Sequence, residues 1–240
     1  MALPKLNVPV YEAILPSTEK VIKYRPFLVK EEKILLTALE TEDTKSLSSA
    51  VRQIVNNCVQ GELDVDKLPT FDIEYLFLRL RAKSVGEKVT IGLRPYGCSK
   101  NEGGLCKSTT EVEIDLEEVK VTKNKASSSK IMLDDKIGIK MKYPDINTIN
   151  LSGTTSEAAG MDVIKNCIDM IYTKEETHER DSFTDEELDE FIDSLNSQQF
   201  KLIRTFFDNM PVLKHIVKYK CNTCGEKKET TLQGLNSFFG

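Results

Sequence analysis

Cys221-Asn222-Thr223-Cys224-Gly225 sets two thiols three positions apart, with a glycine directly after them. Two intervening residues let both thiolates point at one metal ion, and Gly225 permits the tight turn that aims backbone N–H groups at sulfur. A second, wider pair, Cys98 and Cys106, brackets a loop whose Asn101, Gly103 and Gly104 suit a turn. Strand-like segments flank both pairs. Lys88–Arg94 precedes Cys98 and Thr110–Val121 follows Cys106; Lys214–Lys220 precedes Cys221 and Glu226–Leu232 follows Cys224. Two cysteine-tipped hairpins facing each other are the plan of a zinc ribbon. The alternatives are a redox dithiol and unrelated surface thiols. A thioredoxin-like CxxC lies between a strand and a helix, whereas the flanks here read as strand on both sides. The pattern therefore favours one tetrahedral Zn2+ site built from Cys98, Cys106, Cys221 and Cys224. Four thiolates leave no open position for water, so such a site is structural and not catalytic. It would staple the middle of the chain to its end.

The other two cysteines read as core. Cys58 continues the helical spacing of Leu47, Val51, Ile54 and Val55, and Cys167 that of Met161, Ile164, Ile168 and Ile171. A buried free cysteine behaves as a small hydrophobe.

The rest of the chain reads as α+β: helical N-terminal and C-terminal segments around an antiparallel β region. Residues 1–29, with Pro4, Pro9, Pro16 and Pro26, form an extended arm with a strand at Lys20–Tyr24. Residues 30–86 are helical. Lys30–Glu42 comes first, then Thr44–Val59 capped by Asp43 and stopped by Gly61. Phe71–Val85 follows, apolar nearly all round and so central to its domain. Residues 87–144 are the β region, where Val112, Ile114 and Leu116 alternate with acids. The phase shifts at Glu118, which suggests a bulge. Ile137, Ile139, Met141 and Tyr143 alternate again. Residues 145–210 return to helix: a capping box of Thr154 and Glu157 opens one that runs to about Tyr172. A polar linker covers Lys174–Arg180. Thr184 and Glu187 cap a second helix, and Ser197 caps a third that ends at Pro211. Residues 211–240 form the knuckle hairpin, packed with 87–144, and a short C-terminal helix.

Charge and hydropathy narrow the function. With 40% apolar and 30% charged residues, the chain can bury a core yet has no apolar run near 18 residues, so no membrane span is expected. Met1-Ala2-Leu3-Pro4-Lys5 lacks the pattern of a signal peptide, and a reducing cytoplasm is the expected setting. A net charge of −5 argues against a general nucleic-acid binder. Catalytic patterns are missing too. The two histidines, His178 in a charged linker and His215 in a strand, read as solvated or packed residues rather than bases, and no phosphate-binding glycine motif occurs. Residues 174–193 hold ten acids and two bases, which reads as a solvated face. Residues 120–142 hold seven lysines and two aspartates without interleaved aromatics. The chain reads as no enzyme.

Several blocks resemble one family. They are Tyr24-Arg25-Pro26-Phe27-Leu28-Val29-Lys30-Glu31-Glu32-Lys33, Phe71-Asp72-Ile73-Glu74-Tyr75-Leu76-Phe77, Arg81-Ala82-Lys83-Ser84-Val85-Gly86, Asn209-Met210-Pro211, and the knuckle with Leu232-Gln233-Gly234-Leu235-Asn236-Ser237-Phe238-Phe239. From about residue 15 to the end the chain resembles baseplate proteins of T4-like contractile-tailed phages, in the group linked to the central hub. That resemblance implies a noncatalytic hub subunit or hub-assembly factor. Its partners would be other phage baseplate hub proteins, and its place the virion tail baseplate or the infected host cytoplasm during assembly. The arm, the basic 120–142 stretch and the Phe238–Phe239 tail become candidate contacts. The alternative is a zinc-ribbon nucleic-acid-binding regulator.

Overall fold

The structure is a computed structural model, and it describes residues 6–41, 43–101, 104–123, 128–151 and 157–238. The elements follow in chain order. A hairpin of β1 (Tyr11–Ile14) and β2 (Val21–Tyr24) leads into α1 (Val29–Glu40) and α2 (Thr44–Cys58). Then come β3 (Val59–Gln60), α3 (Thr70–Ser84), β4 (Lys88–Leu93), β5 (Thr110–Asp115), β6 (Lys120–Thr122), β7 (Lys130–Met132) and β8 (Gly138–Met141). Helices α4 (Ile146–Leu151) and α5 (Glu157–Cys167) precede β9 (Ile168–Tyr172) and β10 (Thr177–Glu179). Helices α6 (Asp185–Asp193) and α7 (Ser197–Asp208) precede β11 (Val212–Lys220) and β12 (Lys227–Gln233). The fold is α+β, and every strand pairing among the described residues is antiparallel.

The chain divides into two compact units. The first comprises residues 1–65, 71–122 and 212–240; the second comprises 66–70 and 123–211. In the first unit α3 is the centre. Ile73, Leu76, Phe77, Leu78 and Leu80 are each at most 2% exposed, which is why this helix has no polar stripe. Phe77 stacks on Phe27 with ring centroids 6.5 Å apart. The arm folds onto this unit through polar anchors as well as apolar ones. Ser17 N–H donates to the buried Asp72 carboxylate at 3.0 Å, an acid in the first turn of α3 where the helix dipole favours it. Arg25 donates to Glu31 Oε1 and to the Asn57 carbonyl, both at 2.9 Å, and so joins the arm to α1 and α2.

The second unit is built on the sheet β10-β9-β8-β7. Ile139, Met141 and Ile168 on the sheet pack with Leu188 and Ile192 of α6 and Ile203 and Phe206 of α7. Tyr143 stacks on Phe206 at 5.3 Å.

Several expectations are corrected. The C-terminal segment expected to be helical, residues 145–210, holds strands β9 and β10 among its helices, and the described chain closes on a short 3-10 helix, Leu235–Phe238, after the knuckle hairpin. Tyr11–Ile14 is a strand of the arm, paired with Val21–Tyr24 in register Tyr11↔Tyr24. The helix expected to run to Tyr172 stops at Cys167. Ile168-Asp169-Met170-Ile171-Tyr172 is β-branched and aromatic enough to become the inner strand β9 between β8 and β10. Its opening cap, Thr154, lies outside the described residues. The 174–180 linker contains β10. The phase shift after Leu116 marks not a bulge but a turn at residues 116–118 between strands of different sheets, with Leu116 and Val119 fully buried at its ends. Asn196, not Ser197, caps α7, accepting from Gln198 and Gln199 N–H groups. Helix α2 ends at Cys58 because Val59 and Gln60 pair with β2 instead. Asp43 caps α2 as expected, accepting from Lys45 and Ser46.

Candidate metal centre

Two hairpins bring the sulfurs together. Strands β4 and β5 pair over six positions, Lys88↔Asp115 to Leu93↔Thr110. The connecting loop that carries Cys98 and Cys106 is closed by Cys98 N–H to the Gly104 carbonyl at 3.2 Å and Cys106 N–H to the Pro95 carbonyl at 2.9 Å. Strands β11 and β12 pair over seven positions, from Lys214↔Gln233 to Lys220↔Lys227. At their tip Gly225 adopts φ +76° and its N–H reaches the Cys221 carbonyl at 2.9 Å, while Cys221 N–H reaches Glu226 O at 2.9 Å. The left-handed φ is why a glycine follows the second cysteine.

The loop and the knuckle are tied side by side. Asn222 N–H donates to Thr110 Oγ1 at 3.1 Å, and Lys228 Nζ donates to the Gly97 carbonyl at 2.7 Å. The Sγ atoms of Cys98, Cys221 and Cys224 lie within 4.8 Å of one another. Cys106 Sγ lies 3.6 Å from Cys221 Sγ. Cys98, Cys106 and Cys221 are at most 1% exposed, and Cys224 packs against them.

Donors surround the sulfurs. The N–H groups of Lys100, Ser108 and Glu226 bond to Cys98, Cys106 and Cys224, each from two residues further on. Thr223 Oγ1 is 3.0 Å from Cys106 Sγ, and Ser108 Oγ bonds to that same Thr223 hydroxyl. The Thr223 hydroxyl is the chief reason that the Cys106 thiol is pulled down to about 6. The Glu226 N–H leads in lowering Cys224, whereas burial pushes Cys98 up to about 11. Lys228, paired with Glu226 at 2.7 Å, has its own affinity for the proton raised by Glu226 first and then by the Cys224 and Cys98 sulfurs. It is a cation placed to offset thiolate charge.

Tetrahedral zinc with Zn–S near 2.3 Å separates its sulfurs by about 3.8 Å. The Cys106–Cys221 spacing lies near that value, and the Cys98, Cys221 and Cys224 sulfurs need to draw in by about 1 Å at most, whereas Cys106 is not within 4.8 Å of all three. Buried sulfurs with backbone donors and a neighbouring cation form a donor set that suits a thiolate-bound ion. Thr223, Ser108 and Lys228 are the members of this centre that sequence reasoning missed. Thr223 had a signal, being one of the two residues between the knuckle cysteines.

The other singled-out residues lie elsewhere. Cys58 and Cys167 are fully buried, and burial pushes their thiols up to about 11 and about 12. His178 is exposed beside Glu176 at 3.4 Å. His215 sits in β11 opposite Leu232. The basic 120–142 stretch is dispersed, with Lys120 in β6 and Lys140 paired with Asp169 at 2.6 Å; residues 124–127 lie outside the described set. Phe238 is fully buried and so is no contact surface; Phe239 lies outside the described residues. No helix among the described residues is long and apolar enough to cross a membrane.

A family model described as T4 bacteriophage base plate protein matches residues 8–240. No curated protein and no solved structure matches the chain.

Proposed function

The chain belongs to the T4 bacteriophage base plate protein family, and on that premise we propose that it is a noncatalytic hub component or hub-assembly factor, held in shape by one structural zinc ion. The family places it in the baseplate of the phage tail as a structural protein that meets other phage structural proteins. Cys98, Cys106, Cys221 and Cys224 would hold the metal, and the ion would supply a crosslink between two hairpins. The observation that carries the metal reading is the convergence of four sulfurs from two distant loops under backbone N–H donors. With four thiolates as ligands the ion has no position for a substrate or water, so the site stabilises a surface and performs no reaction.

Quantitative mass spectrometry of purified particles and of assembly intermediates tests the role. A fixed ratio to hub proteins in finished particles makes the chain a hub subunit. Presence in hub intermediates alone makes it an assembly factor. Absence from both overturns the hub reading.

A further inference from the structure

The outer face of the β6–β11–β12 sheet carries a charge pattern that its own fold does not reward. The register sets Lys120 directly opposite Lys214, and Lys220 directly opposite Lys227. Like charges facing each other across strands destabilise a sheet. Lys218 shares this face and pairs with Glu229 at 3.7 Å. The other four lysines meet no carboxylate among the described residues. The inward face is ordinary core: Leu213, Val217 and Leu232 are buried. The face is therefore strongly basic on a chain whose net charge is −5.

We propose that this face docks the acidic helix α6 of a second copy of this chain. On α6, Leu188 and Ile192 are buried, and the opposite side presents Glu186, Glu190 and Asp193, all exposed. These three have no ion-pair partner among the described residues, whereas Asp185 pairs with Arg180 and Asp189 with Lys165. The helix fits within the lysine row. Nine helical residues span about 13 Å, and Lys214 to Lys220 span about 20 Å along the strand. Nucleic acid is the poorer occupant. The aromatic of this hairpin, Tyr219, is turned to the other face and bonds to Thr230 at 3.0 Å, leaving no platform on which bases stack. Each copy carries one basic face and one acidic helix, so the contact can be made reciprocally in a two-fold dimer or head to tail in a ring or open chain.

The test is sedimentation of the zinc-loaded full chain at low and high salt, with two double variants. The expected result at low salt is a weight-average mass at least twice that of one chain, falling to one chain at high salt. Lys214→Glu/Lys227→Glu turns both lysine pairs into opposite-charge pairs. It should raise the melting temperature and abolish association together. Glu186→Lys/Glu190→Lys should also give single chains, and mixing the two variants should restore the association. A single-chain mass for the unmodified protein at low salt overturns the proposal, as does association that survives either reversal. Binding of a DNA duplex that the lysine variant loses, without self-association, assigns the face to nucleic acid instead.

Discussion

Cys106 Sγ and Cys221 Sγ lie 3.6 Å apart although 115 residues separate them in sequence. The segment between them contains nearly all of the second unit, residues 123–211. A metal at this point would close a long loop and thereby restrict the unfolded chain as well as join two hairpins in the folded one.

On the proposed zinc site, replacing Cys224 by Ser should abolish metal binding and lower the thermal stability of the first unit, because binding free energy at a structural site is folding free energy. Elemental analysis and calorimetry on the same sample check both halves. A zinc-free Cys224→Ser protein that melts like the unmodified chain would falsify the structural role.

Acid should weaken the arm before it weakens the core. Burial pushes the Glu31 carboxyl up, but the Arg25 guanidinium, the Leu28 N–H and Lys30 together outweigh it and hold Glu31 below its ordinary 4.5. A depressed carboxyl contributes stability that is complete above the unfolded value and is lost as pH falls through the folded one. Unfolding free energy should therefore fall below about pH 4.5, and Glu31→Gln should remove that part of the profile. At neutral pH the variant leaves Arg25 with the Pro26 and Asn57 carbonyls but no carboxylate, and should cost about 1.5–3 kcal/mol. Urea titrations across pH give both numbers.

Gly138 faces the Tyr172 ring across the β8–β9 pair. A Cβ at residue 138 would clash with Tyr172 Cζ unless the ring moved. Gly138→Ala should cost about 1–3 kcal/mol in the second unit. Adding Tyr172→Ala should make the alanine at 138 nearly neutral, and a double-mutant cycle measures the coupling.

Phe77 is fully buried and packs on Phe27, so Phe77→Ala should cost about 3–5 kcal/mol. The shift belongs to the first unit, and hydrogen exchange resolved by segment should place the lost protection on α3, α2 and the arm.

Much of this molecule is legible in the sequence where one physical rule acts alone. Asp43 announces α2 because a carboxylate before a helix has one good use. The all-round apolar face of Phe71–Val85 marks the central helix, since no other place accepts it. Flanking strands group the four cysteines of the two pairs, and the structure sets the Cys98, Cys221 and Cys224 sulfurs within 4.8 Å of one another, with Cys106 3.6 Å from Cys221. Failures came where two rules compete. Met161, Ile164, Cys167, Ile168 and Ile171 fit helical spacing, but from Ile168 onward the same residues gain more by pairing with β8 and β10. The outward lysine pairs were unreadable for another reason: which residue faces which is fixed by cross-strand register, and no local pattern encodes it.

The first unit is interrupted in sequence, and this orders events during synthesis. Residues 123–211 are complete before β11, β12 and the knuckle cysteines have been made. The second unit can therefore close while the first still lacks two of the three strands in its β6–β11–β12 sheet and two of its four clustered sulfurs. The knuckle hairpin thus works as a late latch. Chains released before residue 212 would leave β6 without its pairing partner β11.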